Sequence, residues 1–285
     1  MKSIHVASER IRLSFSRLPV LVGLASCLLV GTPVANAAES LADVVAGAQR
    51  SPANQKRDVY RHPIETLQFF GIQPSQTIVE IEPGGGWYTE ILAPYLRGQG
   101  KLYEAPIADA SDSATIKQSR GYKDFVAKLN ATPAVYDKVA VGALLSDKLE
   151  NIPTGTADMV VTFRNIHNWI QGGKVDTYFH TFYSALKPGG VLGVEEHRAK
   201  AGASLQSMID SGYVTQDYVI EHARSAGFVL VGSAEINANP RDDTNHPNGV
   251  WSLPPTLQGG DKDRDQFLAI GESDRMTLKF IKPKQ

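Results

Sequence analysis

The sequence predicts an α/β protein with an open sheet of about seven strands, mostly parallel with an antiparallel last strand, and helices on both faces. An apolar, β-branched run at residues 77–81 breaks at three consecutive glycines, residues 84–86, and resumes with helical periodicity from Trp87. Strand and helix patterns then alternate along the chain, as in sheets whose parallel strands are joined by helices. The last strand pattern, residues 276–282, is expected to close the sheet in the antiparallel direction.

Residues 1–37 have the three-part layout of an export signal peptide. A basic start precedes an uninterrupted apolar segment, residues 18–30, which is too short for a comfortable membrane span. A small-residue cleavage pattern, VANA, ends at Ala37. We therefore expect a periplasmic or secreted protein that begins at Ala38. The alternatives are a lipid anchor on Cys27, because LASC resembles a lipoprotein box, and a buried first helix.

The composition is that of an ordinary globular protein. The chain has 285 residues, 42% of them hydrophobic and 21% charged, with a formal net charge of −1, so nothing marks it as a nucleic-acid binder. Cys27 is the single cysteine and lies within the predicted signal. Residues 38–285, which we interpret as one domain, therefore have no disulfide, thiol nucleophile or thiolate metal ligand.

Residues 38–72 are predicted to form a helical lead-in to the sheet. A helical apolar face starts at Leu41, Pro52 interrupts the pattern, and Pro63 opens another helix that ends at Gly71. The charged residues Arg57, Asp58 and Arg61 lie between these helices and are predicted to be a solvated surface cluster.

The turn at residues 82–86 suits a ligand. Pro83 stops the strand, and glycines permit backbone angles and close approaches that a Cβ would prevent. The free N–H groups of the following helix point toward whatever lies over the glycines, which favours a polar or anionic group. Glycines also form turns for purely structural reasons, so the context must decide.

The stretch resembles the first motif of the class I S-adenosylmethionine-dependent methyltransferases, an acid followed by a Gly-x-Gly-x-Gly loop. On this resemblance Glu80 takes the place of the acid, and Gly84 and Gly86 take the places of the last two glycines. Glu82 stands where the family has its first glycine. The resemblance implies a Rossmann-like fold, S-adenosyl-L-methionine as cofactor, and a lead-in segment folded over it, in which Tyr60 is the candidate contact.

The second and third strands are predicted at residues 101–105 and 136–144, with a charged helix at residues 112–129 between them. Nucleotide-binding folds place a ribose-binding acid at the end of the second strand, about 20 residues beyond the glycines. Glu104 and Asp109 are both candidates, because the family pattern would put Pro106 at this position. A polar residue after the third strand meets the adenine in the resembled family, which indicates Asp147.

A dense polar and aromatic segment, RNIHNW at residues 164–169, directly follows the fourth predicted strand, residues 156–163. Open α/β sheets bind their ligands at this edge. The class I methyltransferases have their fourth motif here, beside the transferable methyl group. Residues 164–169 most resemble a subgroup of exported, predicted methyltransferases. Asn165 and Trp169 would then orient the acceptor and His167 would be the catalytic base. The structural alternative is that the asparagines satisfy backbone groups and Trp169 caps the core.

A helix at residues 178–186 and the turn LKPGG precede the fifth strand, residues 191–194, and this turn is typical of the resembled family. Residues 195–198, EEHR, are expected at the same sheet edge as His167. They could act as bases or metal ligands, but two histidines on separate loops lack metal-ligand spacing, so we favour polar substrate contacts and predict no metal.

The remaining elements are a helix at residues 215–226, with Thr215 as its N-cap, and a sixth strand at residues 228–236. A polar insert, residues 237–260, is either an active-site lid or a floppy connector. Acids at residues 261–272 match calcium-loop spacing, but flanking helices are absent and residues 267–271 are predicted as strand, so we do not predict calcium.

Together these features predict methyl transfer from S-adenosylmethionine to an unidentified small molecule, with no nucleic-acid partner. The alternative is an exported, catalytically inactive ligand-binding protein on the same scaffold, which the departures at Glu82 and Pro106 favour.

Overall fold

A computed structural model describes residues 39–107, 117 and 119–284, which belong to one compact unit. The predicted export signal with Cys27, and the alternative ribose acid Asp109, lie outside the described residues. The strands are β1 (Thr77–Ile81), β2 (Lys101–Ala105), β3 (Val139–Val141), β4 (Ala143–Leu144), β5 (Leu149–Glu150), β6 (Ala157–Phe163), β7 (Leu186–His197), β8 (Val229–Ala234) and β9 (Arg275–Ile281).

The described helices cover the lead-in and both faces of the sheet. They are α1 (Leu41–Ala46), α2 (Pro52–Gln55), α3 (Asp58–Arg61), α4 (Pro63–Phe70), α5 (Thr89–Leu96), α6 (Arg120–Ala131), α7 (Pro133–Tyr136), α8 (Ile166–Gln171), α9 (Val175–Ala185), α10 (Leu205–Ser211), α11 (Gln216–Ser225) and α12 (Arg264–Ile270), with a 3₁₀ turn at Gly249–Ser252. None of them is long and apolar enough to cross a membrane.

Seven strands form one sheet in the order β3-β2-β1-β6-β7-β9-β8. The pairs from β3 through to β7 are parallel, whereas β9 runs antiparallel to both of its neighbours, β7 and β8. The predicted fold class, with its antiparallel last strand, is therefore confirmed. The turn after β1 lies beside the point where the chain order reverses across the sheet, which is where open α/β sheets bind ligands.

Each face of the sheet packs against its own apolar cluster, because neighbouring residues of a strand point to opposite faces. On one face, Val79 of β1 packs in a cluster with Phe179 of α9. On the other, Ile78 packs in a cluster with Leu92 of α5 and Phe125 of α6. The prediction of helices on both faces is confirmed.

Three predicted elements differ from the structure. Tyr136 ends helix α7, and the third strand is only β3, because β4 turns away at Gly142 to pair with β5 as a separate hairpin. Residues 267–271 are not a strand but the end of helix α12, which buries Phe267 and stops at Gly271 with φ +88°. The LKPGG turn is a bulge inside β7, since Leu186 pairs with Ala157 while Val191 already pairs with Met159.

Candidate active site

Three adjoining cavities open along the carboxyl ends of β1, β6 and β7. The large cavity has a volume of about 640 Å³, the middle cavity about 260 Å³, and the third, which we call the arginine cavity, about 240 Å³. The large and middle cavities share Glu82, Pro83, Gly84 and Asn165, and the middle and arginine cavities share Arg57, Arg61 and Arg164.

The glycine loop has the backbone that its sequence predicts. Gly84 and Gly86 adopt positive φ angles of +55° and +75°. Glu82 also has a positive φ, +48°, so it takes the left-handed conformation that a glycine would adopt there at lower cost. For a residue with a side chain this conformation costs about 1–3 kcal/mol. The backbone path is therefore kept at Glu82 although the glycine is not.

Two of the three glycines face open space. A Cβ added at Gly84 or Gly85 would meet no atom within 4 Å. A Cβ at Gly86 would lie 3.1 Å from the ring of Phe125 and 3.3 Å from the hydroxyl of Thr89, so Gly86 is needed for packing. Gly84 and Gly85 thus leave the room that a ligand needs, and Gly86 lets α5 and α6 approach the loop.

The loop is held from both sides by charged groups. Thr89, the first residue of α5, donates a hydrogen bond to Glu80 Oε2 at 2.9 Å, which ties the end of β1 to the helix. Lys128 on α6 donates to the carbonyl oxygen of Gly85 at 2.8 Å and to Glu90 Oε1 at 2.8 Å. Lys128 is not predicted from the sequence, where its one local signal is its position three residues after the buried Phe125.

Glu80 and Glu104 lie opposite each other in β1 and β2 and are both buried. Burial raises the pKa of Glu80 to about 7, although hydrogen bonds from its neighbours oppose the shift. Burial and the charge of Glu80 hold the pKa of Glu104 well above its usual range. Glu80 lines the middle cavity. Glu104 lines none of the three cavities, so its predicted role as ribose acid does not fit the structure, and Pro106 and Ile107 line the large cavity instead.

Trp169 lies apart from His167. Its indole Nε1 donates to Glu82 Oε2 at 2.5 Å, and its ring packs edge-on against Tyr178 with centroids 5.3 Å apart. It lines the large cavity beside Gly84, whereas His167 lines the arginine cavity. Trp169 therefore supports Glu82 and the core as well as lining the large cavity, and its role as an acceptor contact stays a prediction.

Asn165 occupies the position that its sequence predicts, between the large and middle cavities. Its amide nitrogen donates to the carbonyl oxygen of Ile81 at 2.9 Å and to Thr162 Oγ1 at 3.1 Å. These bonds link the ends of β1 and β6 and fix the side chain at the sheet edge.

His167 is oriented by a buried carboxylate. Its Nδ1 lies 3.0 Å from Glu196 Oε1, and Glu196 also accepts hydrogen bonds from the backbone N–H groups of Ile166 at 2.6 Å, His167 at 3.3 Å and His197 at 2.8 Å. An ionised Glu196 can only accept, so we assign the hydrogen to Nδ1, which leaves Nε2 as the proton acceptor.

The hydrogen bonds to Glu196 also determine whether this cluster can bind a metal ion. His167, Glu196 and His197 offer ligand atoms within 4.8 Å of one another. However, each oxygen of Glu196 already receives two hydrogen bonds, so the carboxylate has no acceptor site left for a cation. The arrangement serves to orient His167.

Arg57 and Arg61 do not form the solvated surface that the sequence predicts. Arg61 is only 4% exposed, and its Nε donates to Glu272 Oε2 at 3.1 Å, while Arg57 Nε donates to Glu272 Oε1 at 2.6 Å. Burial alone would raise the pKa of Glu272, but the charges of Arg61, Arg275 and Arg57 lower it to about 2. Glu272 is more than 200 residues away in the sequence, so no local pattern could have indicated the pairing.

Two further predicted cofactor contacts, Tyr60 and Asp147, line none of the three cavities. The ring of Tyr60 lies against Gly271, where an added Cβ would be 2.6 Å from Cε1, and its carbonyl accepts from Arg275. Asp147 belongs to the β4–β5 turn, where its carbonyl accepts from Thr181 Oγ1 at 3.2 Å. Asp147 lies away from the three cavities because the β4–β5 hairpin shortens the third strand.

The insert at residues 237–260 is a packed wall. Val250, Trp251 and Pro254 line the arginine cavity. The insert is anchored through Asp242, which is buried and accepts hydrogen bonds from the hydroxyl of Tyr213 at 2.9 Å and from the backbone of Asp274 at 2.8 Å. Of the two interpretations of this segment, the floppy connector is wrong.

The fold is that of S-adenosylmethionine-dependent methyltransferases. A SAM-dependent methyltransferase from Aquifex aeolicus superimposes with a TM-score of 0.53 at 13% identity, over 86% of this chain and 99% of its own. Geranyl diphosphate methyltransferase in complex with SAM gives 0.52 at 11% identity, over 88% and 93%. The cyclase SpnF gives 0.57 at 15% identity, over 86% and 92%.

No protein-family model matches the chain, and no curated protein sequence matches it. At these low sequence identities the structural likeness establishes only the fold. The reaction has to be inferred from the site, because one fold can support several chemistries.

Proposed function

We propose that the protein transfers a methyl group from S-adenosylmethionine to a small-molecule acceptor. The observation that carries this proposal is the glycine loop at the carboxyl end of β1, which has positive φ angles at Glu82, Gly84 and Gly86 and open space at Gly84 and Gly85. Solved structures of similar fold support it, because they include SAM-dependent methyltransferases, one of them in complex with SAM.

In this proposal the large and middle cavities hold the donor. A volume of about 640 Å³ lies within the roughly 300–1,000 Å³ typical of ligand sites. Gly84 and Gly85 allow the donor to approach the backbone, Glu80 fixes the loop through Thr89, and Asn165 borders both cavities. The sulfonium supplies an already activated methyl group, so the protein has to align donor and acceptor.

His167 is the proposed base. Glu196 fixes its ring through Nδ1, so Nε2 is left to accept a proton from the acceptor. His167 lines the arginine cavity, which adjoins the middle cavity through Arg164. The acceptor would therefore enter from the side of the insert, opposite the large cavity.

Calorimetric titration of the protein with S-adenosylmethionine and S-adenosylhomocysteine tests the donor site. We expect both to bind at one site per chain. If neither binds, the proposal is wrong. If both bind but no methyl group is transferred to any of a broad panel of small-molecule acceptors, the rival gains support, namely an inactive ligand-binding protein. The charged Glu82 in the glycine loop and Pro106 in place of the ribose acid favour that rival.

We further propose that the protein is exported and acts in the periplasm or outside the cell, on the evidence of residues 1–37. S-adenosylmethionine is made in the cytoplasm, so an exported enzyme would depend on imported or leaked donor.

A further inference from the structure

The arginine cavity is walled by cations. Arg57 and Arg61 from the lead-in line it together with Arg164, His167 and His197. Trp251, from the insert, also lines it, with its ring centroid 6.1 Å from that of His167. Among the described residues that line this cavity, Glu272 is the single carboxylate.

The charged side chains that line the arginine cavity are mostly positive. Of the described side chains among them, three are arginines, and one, Glu272, is a carboxylate. Arg275, which donates to both Glu195 and Glu272, joins the three cavity arginines behind the wall. Charges in such partly buried surroundings are weakly screened by water.

The pKa shifts in the cluster reflect how each group is paired. Burial alone would lower the pKa of Arg164, but the charges of Glu195 and Glu272 raise it. Burial and then the charge of Arg164 lower the pKa of Arg61 to about 9, although Glu272 opposes the shift. Burial is the main cause that holds the pKa of His197 well below its usual range, and His167 and the neighbouring arginines add to it. The cavity therefore disfavours further positive charge.

Arg57, which lines the arginine cavity, has one unused donor. Its Nε is taken by Glu272, but its Nη2 is buried and has no hydrogen-bond partner among the described residues. A guanidinium presents a planar fork of donors that matches a carboxylate or a phosphate. The volume of about 240 Å³ is below the roughly 300–1,000 Å³ typical of drug-sized ligands, so the occupant must be small.

We propose that the arginine cavity binds the anionic group, a carboxylate or a phosphate, of a small methyl acceptor, with Arg57 and Arg164 as its charged contacts. This proposal rests on the proposed methyl transfer and adds the chemical class of the acceptor. With its anionic group at the arginines, the acceptor would lie beside His167 and next to the middle cavity.

The test is calorimetric titration of the protein with inorganic phosphate, with acetate and with ethylammonium, each in the absence and in the presence of saturating S-adenosylhomocysteine. We expect phosphate or acetate to bind under both conditions, and ethylammonium not to bind. Whichever anion binds more tightly identifies the group. Removal of one charged hydrogen bond in Arg57→Gln should weaken anion binding about tenfold or more.

Arg97→Gln is the matched control. It removes the same charge from an exposed arginine that pairs with Asp137, so it should leave anion binding unchanged. Arg57→Gln should fold, because Arg61 and Arg275 still pair with Glu272. Thr256→Glu is a second variant, which places a negative charge on the exposed part of the wall without touching an ion pair, and it should also weaken anion binding.

Three results would overturn the proposal. They are binding of neither anion, binding of ethylammonium in their place, and displacement of the anion by S-adenosylhomocysteine, which would assign the arginines to the carboxylate of the donor. Failure of the proposed function appears separately, as absence of S-adenosylhomocysteine binding. Anion binding in its absence, weakened by Arg57→Gln but not by Arg97→Gln, would then still establish the anion site.

Discussion

Glu82 occupies a backbone conformation that favours glycine, and its side chain gives a reason for its presence. The carboxylate accepts the hydrogen of the Trp169 indole and lines both the large and the middle cavity. A charged hydrogen bond contributes roughly 1.5–3 kcal/mol, which is comparable to the cost of the strained φ angle. At the residue scale, a departure from a sequence motif can thus keep the backbone path while changing what a bound ligand meets.

Gly84→Val should abolish binding of S-adenosylmethionine while the protein still folds. The added side chain would project into open space that the ligand needs, and its φ of +55° would cost about 1–3 kcal/mol of stability. Gly155→Val is the matched control, because Gly155 has φ +66°, equally open surroundings and a position outside the three cavities. Calorimetry and thermal unfolding of both variants decide the matter. Unchanged binding in Gly84→Val would mean that the glycines are merely a turn.

His167→Ala should lower turnover by roughly 10²–10⁴-fold and leave cofactor affinity nearly unchanged, since we propose that the cofactor lies at the glycine loop. The variant should fold, because Glu196 keeps its bonds from the backbone. Turnover of the parent should fall in acid, since a protonated imidazole cannot accept a proton. His180→Ala, on the exposed side of α9, serves as control. An active His167→Ala enzyme with the pH profile of the parent would remove this histidine from the mechanism.

Site residues close to their motif in sequence were predictable, and those defined by distant contacts were not. Glu80 lies within β1, and Gly84, Asn165 and His167 follow the buried strands β1 and β6 closely in sequence, so hydrophobic pattern and turn chemistry suffice to place them. The partner of Arg57 lies on another element far along the chain, and only the folded protein brings the two together.

At the scale of elements, α6 supports the glycine loop through one side chain. Lys128→Met should weaken binding of S-adenosylhomocysteine and lower the free energy of unfolding by about 1–3 kcal/mol, because Glu90 would remain buried without its cation. Lys123→Met removes the same charge from the exposed face of the same helix and should change neither quantity. Denaturant titration and calorimetry measure both effects. Equal affinity in the two variants would show that the loop does not need this support.

The pairing of β1 with β2 places two buried acids side by side, so stability should depend on pH. Both folded-state pKa values lie above those of the unfolded chain. Between about pH 4.5 and 7 the unfolded state therefore loses protons that the folded state keeps, and stability falls as the pH rises. Glu104→Gln should reduce this loss, because it removes one of the two buried acids whose pKa is raised. Thermal unfolding from pH 5 to 8 tests this, with exposed Glu65→Gln as control, and parallel curves for parent and Glu104→Gln would contradict it.

At the scale of the whole molecule, the directions of the strands followed from the sequence better than their lengths did. Alternating strand and helix patterns favour parallel pairing with crossover helices, which the structure confirms for the pairs from β3 to β7, and β9 is antiparallel as predicted. The hairpin of β4 and β5 could not be predicted, because it depends on a close approach at Gly142, where an added Cβ would clash with the carbonyl of Glu150. A pattern of apolar residues does not report such backbone contacts.

The mature protein should begin at Ala38, according to the signal-like pattern of residues 1–37. N-terminal sequencing of material recovered from the periplasm or the medium measures this directly. A diacylglyceryl group on Cys27, detected by mass spectrometry, would instead establish the lipid-anchored alternative. An uncut chain retained inside the cell would contradict export.

The position of β9 in the sheet also determines the order in which strands can pair during synthesis. β8 is made before β9 but has β9 as its partner in the sheet, and β9 pairs with β7 on its other side. During synthesis β8 therefore cannot pair until β9 has been made. Long-range pairing of this kind is slow, and meanwhile apolar strands such as β8, with its exposed Val229 and Val231, can pair with other chains. Glu272 immediately precedes β9, so the arginines acquire this counter-charge at the same late stage. The arginine cavity and this edge of the sheet are thus completed together, after the glycine loop has already been synthesised.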